Sequence, residues 1–176
     1  MCYNNIIMKR VFIALKTNTE IEERVKEWRN NKLAWPVRFI EPRNLHLTLV
    51  PPFNCENISA LIDTLSSIKT DQKKISIAYK LIDFGPRPEN PRLIWALGDY
   101  NLDLNNLKNK IENSLNQKRI SRNFHPHLTL ARFKSLPPFA VKEKINWQEI
   151  CTSFVLFESI LKPKGAEYNI IKKFKF

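Results

Sequence analysis

The chain has 176 residues, with 29 Lys and Arg against 17 Asp and Glu, a net charge of +12. An apolar fraction of 43% with 11% aromatics excludes a disordered chain, and at this length one compact domain buries roughly 70% of its unfolded surface. The three glycines (Gly85, Gly98, Gly165) are too far apart for a Gly-rich phosphate loop or a dinucleotide fingerprint, so any bound phosphate must be held largely by side chains.

Lys9 to Leu15 is β-branched and aromatic and reads as a first strand. Thr19 to Asn30 carries Ile21, Val25 and Trp28 at helical spacing, with Thr19 as its expected N-cap. Phe39-Ile40 precedes Pro42, and Leu45 to Val50 then alternates as a strand that Pro51-Pro52 is expected to stop. Asn57 to Ile68 is a second helix with Ile58, Leu61, Ile62 and Leu65 on one face, and Lys74 to Phe84 is a further strand ending at Gly85-Pro86. Arg92 to Leu97 reads as a strand, and the next helix has Leu104, Leu107, Ile111 and Leu115 as its stripe. Phe124 to Leu130 holds another strand, Pro137-Pro138-Phe139 is a break, and Ser153 to Leu161 and Tyr168 to Phe176 close the chain as strands.

This order contains an echo. Arg92-Leu-Ile-Trp-Ala96-Leu97 matches Arg10-Val-Phe-Ile-Ala14-Leu15 at its first, fifth and sixth positions, and His127-Leu-Thr-Leu130 repeats His46-Leu-Thr-Leu49. Strand, helix and His-Leu-Thr-Leu strand thus occur twice at nearly equal spacing, which predicts an internal repeat over approximately 9–84 and 91–161 within a single bilobal domain, 1–176. Each lobe is expected to bring one His-Leu-Thr-Leu strand to a shared cleft.

Alternate residues of a strand share a face, so His46 and Thr48 point one way, as do His127 and Thr129, while the leucines point into the core. Two imidazoles beside two hydroxyls suit general acid–base chemistry at phosphorus. One neutral ring takes a proton from water, one charged ring gives a proton to a leaving oxygen, and the threonines donate to nonbridging oxygens. Arg132 adds a permanent charge and a fork matched to phosphate. Its even number differs from the odd parity of His127 and Thr129, so it needs a bulge or a strand end to reach the same cleft. His125 shares parity with His127 but reads more simply as a strand-start residue before Pro126.

Other chemistries fit less well. A zinc site on the three histidines lacks a carboxylate or Cys at ligand spacing, so no metal and no cofactor is expected. Cys2, Cys55 and Cys151 form no C-x-x-C and no disulfide framework, and a cytoplasmic location is expected. There is no G-x-S-x-G elbow, and the apolar run Val11 to Leu15 is too short for a secretory or membrane segment. The basic surplus, including a late cluster at Lys162, Lys164, Lys172, Lys173 and Lys175, fits RNA, DNA or phosphorylated small molecules, and equally a solvated surface. Met8 is an alternative start.

At the paired motifs the chain resembles the two-histidine (2H) phosphoesterase superfamily, and within it the RNA 2′,3′-cyclic phosphodiesterases, also called 2′-5′ RNA ligases. The resemblance runs from Val11–Leu15 through Trp28 and His46–Leu49 to Phe124–Arg132. It implies His46 and His127 as the catalytic pair, Thr48, Thr129 and Arg132 as phosphate-binding residues, and no metal. It further implies that His127 activates water against a 2′,3′-cyclic phosphate while His46 protonates the departing 3′ oxygen, with reverse 2′-5′ ligation open in principle. Phe12 and Tyr168 are candidates for lining a nucleoside pocket. Many RNA phosphodiesterases of the family follow the first motif with an apolar pair and Gly, whereas Val50-Pro51-Pro52-Phe53 stands here. The candidate substrates are therefore RNA or nucleotides with a cyclic phosphate, 2′-5′ oligonucleotides, or another small cyclic phosphate. A non-catalytic RNA-binding module is the alternative from another class. The fold expected is α+β, with two pseudo-symmetric lobes, each an antiparallel β-sheet with helices on its outer face, around a central cleft. The chain is expected to act as a monomer, away from membranes.

Overall fold

Strand β1 (Lys9–Lys16) has Val11 through Leu15 all buried, so both of its faces are covered. Helix α1 (Thr19–Asn30) turns Ile21, Val25 and Trp28 inward. Its N-cap is Asn18 rather than Thr19: the Asn18 side chain accepts from the Ile21 N–H at 2.9 Å, so an acceptor one residue upstream satisfies an orphan donor of the first turn. Strand β2 (Arg38–Phe39) is too short to carry a sequence pattern. A 3-10 turn at Pro42–Asn44 leads into β3 (His46–Cys55), which continues through Pro51-Pro52 instead of stopping there. The sheet order gives the reason: β3 is an edge strand, where a missing N–H need not break a ladder.

Helix α2 (Ile58–Ser66), β4 (Ile75–Gly85), β5 (Leu93–Gly98), α3 (Leu102–Ser114) and β6 (His127–Arg132) fall where the sequence places them. Strand β7 (Lys142–Cys151) carries no such signal. Its inward positions include Glu143 and Glu149, which hide the alternation. Glu149 is only 3% exposed, and the Tyr79 hydroxyl donates to it at 2.7 Å while the Asn18 backbone N–H donates at 3.2 Å. Strands β8 (Ser153–Lys162) and β9 (Gly165–Lys175) form the last antiparallel pair.

The computed structural model describes residues 8–87, 89–116, 124–135, 137–163 and 165–176; Cys2 and Lys164 lie outside the described residues. The strands form two antiparallel sheets, ordered β3-β1-β8-β9 and β2-β6-β5-β4-β7. The architecture is thus α+β and two-lobed. Strand β4 pairs with β5 and β7, and β8 pairs with β1 and β9; the first sheet joins β1 and β3 to β8 and β9, and the second joins β2 and β4 to β5, β6 and β7, so each sheet is built from both halves of the sequence.

One large core holds Leu47 and Leu49 of β3, Leu128 and Leu130 of β6, and the inward stripes of α1 and α3. A second cluster of Phe12, Ala14, Val155 and Phe157, with Tyr168 packed on it, lies on the opposite face of the first sheet. That opposite face carries the site. Among the described residues no helix is long and apolar enough to cross a membrane.

Candidate active site

The cross-strand register sets the site. His46 stands opposite Lys16 and Thr48 opposite Ala14; in the other sheet His127 stands opposite Leu97 and Thr129 opposite Trp95. Residues directly opposite in an antiparallel pair share a face, so Ala14 and Trp95 occupy corresponding places. The sequence match of Ala14 with Ala96 is displaced by one residue: Ala96 stands opposite Leu128 and faces the core.

Both motif strands are bulged just after the threonine. In β3 the ladder passes from Ala14–Thr48 to Ile13–Val50, leaving Leu49 extra; in β6 it passes from Trp95–Thr129 to Ile94–Ala131, leaving Leu130 extra. A bulge inserts one residue and reverses the parity beyond it. Arg132, the last residue of β6, is thereby brought to the face of His127 and Thr129, which the sequence required a bulge or strand end to do. The position that follows Thr48 at the same distance is Pro51, so the first motif supplies no such cation.

Both imidazoles are held in the same way. His46 Nδ1 lies 2.7 Å from the Asn44 carbonyl, and His127 Nδ1 lies 2.8 Å from the His125 carbonyl. A carbonyl only accepts, so each Nδ1 carries the proton and each Nε2 is left for chemistry. Asn44 is itself fixed, its side chain donating to the Ala166 carbonyl at 3.3 Å across to β9. Aromatic rings back both histidines. Phe12 lies 4.9 Å and Tyr168 5.1 Å from the His46 ring, and Trp95 lies 4.7 Å from the His127 ring. Phe12 is 2% exposed, stacked on Phe157 beneath His46, whereas Tyr168 is half-buried at the cleft.

An open cavity of about 790 Å³ is lined by Thr48 and Pro51 from one sheet and by Trp95, His125 and His127 from the other, so the two motifs border one space. Neither the Thr48 nor the Thr129 hydroxyl has a protein hydrogen-bond partner among the described residues. Burial is the first cause that lowers the His46 pKa, from 6.5 to about 4; the Asn44 carbonyl opposes it, and the charges of Arg132 and His127 lower it further. His127 is lowered as well, by burial first, against the His125 carbonyl, and then by the charges of His125 and Arg132. Arg132 therefore acts on both histidines, which places all three in one electrostatic neighbourhood. Two neutral imidazoles, two free hydroxyls and one guanidinium make a site that gains most from an anion with ionisable or leaving oxygens.

Trp95, Arg92 and Lys108 also line the cavity and were not singled out from the sequence. Trp95 had a readable signal in its proximity to the echo, but its facing depends on the bulge in β6. Among the described residues no three His, Cys, Asp or Glu side chains converge in ligand geometry.

A model of the 2′-5′ RNA ligase superfamily matches residues 17–154. A protein of Archaeoglobus fulgidus named RNA 2′,3′-cyclic phosphodiesterase is 28% identical, over 94% of this chain and 99% of its own length. One of the same name from Aquifex aeolicus is 25% identical, over 93% of both. Among solved structures, E. coli LigT in its apo form superposes with a TM-score of 0.74 at 25% identity, covering 96% of this chain and 97% of that one.

Proposed function

Because this chain belongs to the 2′-5′ RNA ligase superfamily, we propose that it hydrolyses 2′,3′-cyclic phosphate ends of RNA to 2′-phosphates, with His46 and His127 as the acid–base pair. The observation that carries the reading is the matched tethering of the two rings, each with Nδ1 on a carbonyl two residues upstream and Nε2 free. The names of the curated relatives point to the same reaction.

In this reading the phosphate lies between the two motif strands, with Thr48, Thr129 and Arg132 on its nonbridging oxygens. His127 borders the open cavity, where water enters, and its Nε2 takes the proton as the water oxygen attacks phosphorus. The bond from phosphorus to the 3′ oxygen breaks, and that oxygen takes the proton from His46 Nε2. One proton is gained at one ring and one is lost at the other, so exchange with solvent resets the pair. The low proton affinity of His46 makes it a strong donor once charged, and the anionic phosphate stabilises that charged form. In this reading Tyr168 and Trp95, which pack against His46 and His127, meet the nucleoside, and the buried Phe12 supports His46 from beneath instead of lining the pocket.

The test is turnover of a 2′,3′-cyclic nucleotide and of a short RNA with a cyclic end, in the presence of chelator. His46→Ala and His127→Ala should each lower kcat by about 10²–10⁴; wild-type rates from both variants reject the reading. A substrate with sulfur in place of the 3′ bridging oxygen needs no acid. It should restore His46→Ala and not His127→Ala, and the reverse pattern would exchange the two roles.

A further inference from the structure

A second open cavity, of about 810 Å³, adjoins the first, with Pro86 and Arg92 lining both. Arg38, Arg92, Arg132 and Lys134 line it, and no carboxylate does among the described residues. Ion pairs are common elsewhere on this surface, yet none of these four cations has a carboxylate partner among the described residues.

The backbone brings these charges together. Arg38 of β2 stands directly opposite Arg132 of β6, and Arg132 in turn stands opposite Leu93, the neighbour of Arg92. Like charges directly opposite on a sheet are destabilising. An ordinary surface relieves this with an acidic neighbour, and among the described residues none lines this cavity. The Arg38 head group also has a defined place, because a Cβ at Gly165 would stand 3.2 Å from its Nη1, so the β8–β9 turn leaves it room. Guanidinium forks on adjacent strands match phosphate oxygens and would be relieved by a second anion beyond the one at the histidines.

We infer that this second cavity holds the internucleotide phosphodiester just upstream of the cyclic end, so that the substrate is the end of an RNA chain rather than a free nucleotide. The inference rests on the reading above that an RNA end occupies the first cavity. Arg132 is the joint: it lines the second cavity and its charge reaches both histidines, so the chain runs from the histidine pair past Arg132 toward Arg38 and Lys134. A 5′-phosphate on a single nucleotide offers the same chemistry at the same position, and the wild-type affinities for the two ligands separate the sources.

Binding is measured with a hexaribonucleotide that ends in a 2′-phosphate and carries a 5′ fluorophore, by anisotropy across a salt series. Unlabelled 2′-phosphate mononucleotides, with and without a 5′-phosphate, serve as competitors. The double variant Arg38→Gln, Lys134→Gln should bind the hexamer about tenfold more weakly and lower its salt slope by about 1.4, or 0.7 for each charge lost. The mononucleotide without a 5′-phosphate should stay within about twofold of wild type, whereas the 5′-phosphorylated one, whose phosphate stands where the upstream phosphodiester does, should weaken as the hexamer does. Arg38→Lys, which keeps the charge, should retain the slope and controls for folding. Equal weakening of hexamer and plain mononucleotide, or no weakening of either, overturns the inference. A wild-type affinity for the 5′-phosphorylated mononucleotide equal to or above that for the hexamer overturns it in favour of a free-nucleotide 5′-phosphate site, and an unweakened 5′-phosphorylated mononucleotide beside a weakened hexamer overturns it by moving the phosphate farther upstream. The hexamer is a product and needs no turnover, so failure of the histidine variants to lose activity would reject the proposed reaction without altering this result.

Discussion

His46 shows how one residue ties chemistry to stability. Its pKa falls from 6.5 to about 4 on folding, chiefly because burial removes hydration from the cation. Between those values the unfolded chain binds the proton that the folded chain refuses, so stability is full above about 6.5 and is lost as pH falls toward 4. His127 adds to the trend in the same direction. Urea unfolding of His46→Gln should therefore show a flatter pH dependence than wild type across this window; an unchanged slope would mean the ring is hydrated in the folded state. The two histidines and two threonines were legible in the sequence, because a period of two puts them on one face wherever the strand sits. Trp95 and the cations Arg38, Arg92 and Lys134 were not. The facing of Trp95 and Arg38 follows from ladder partners far away in the chain, and Arg92 and Lys134 lie just outside the strands that carry them to the cavity, so no local spacing encodes their place.

At the level of the element, most strands and, among the described residues, all three α-helices were readable from periodicity, and the departures have local causes. Asn18 caps α1 because its carboxamide reaches the Ile21 N–H, leaving Thr19 inside the first turn. Asn18→Ala should lower stability by about 1 kcal/mol and Thr19→Ala by much less, measured by denaturant midpoint at constant slope. Strand β3 runs on through two prolines because it lies at a sheet edge, which sequence does not announce. Strand β7 hides behind glutamates at inward positions, and Glu149 is tolerated there only because the Tyr79 hydroxyl and the Asn18 N–H meet it. The paired bulges after Thr48 and Thr129 are the element-level device of the site. They turn Arg132 toward the histidines in one lobe and place Pro51 at the matching position in the other.

Over the whole molecule, the cavity borders both sheets, so a phosphate held there bridges them and should stabilise the fold by mass action. Inorganic phosphate at 100 times its Kd should add about 2.7 kcal/mol, a rise in Tm of about 5–10 °C. The double variant Thr48→Ala, Thr129→Ala should lose most of that rise, read by thermal unfolding with and without phosphate. A full shift in the double variant would place the anion elsewhere. The sequence by itself determined most of the elements, the two His-Leu-Thr-Leu strands and the chemistry they are suited to, because strand period and side-chain type are local properties. Only the tertiary structure decided which strands lie side by side, that each sheet is built from both halves of the sequence, and that Arg132 faces the histidines. It also gathered Arg38, Arg92 and Lys134 beside them. Those facts depend on register between residues far apart in the chain, where a shift of one position reverses every face.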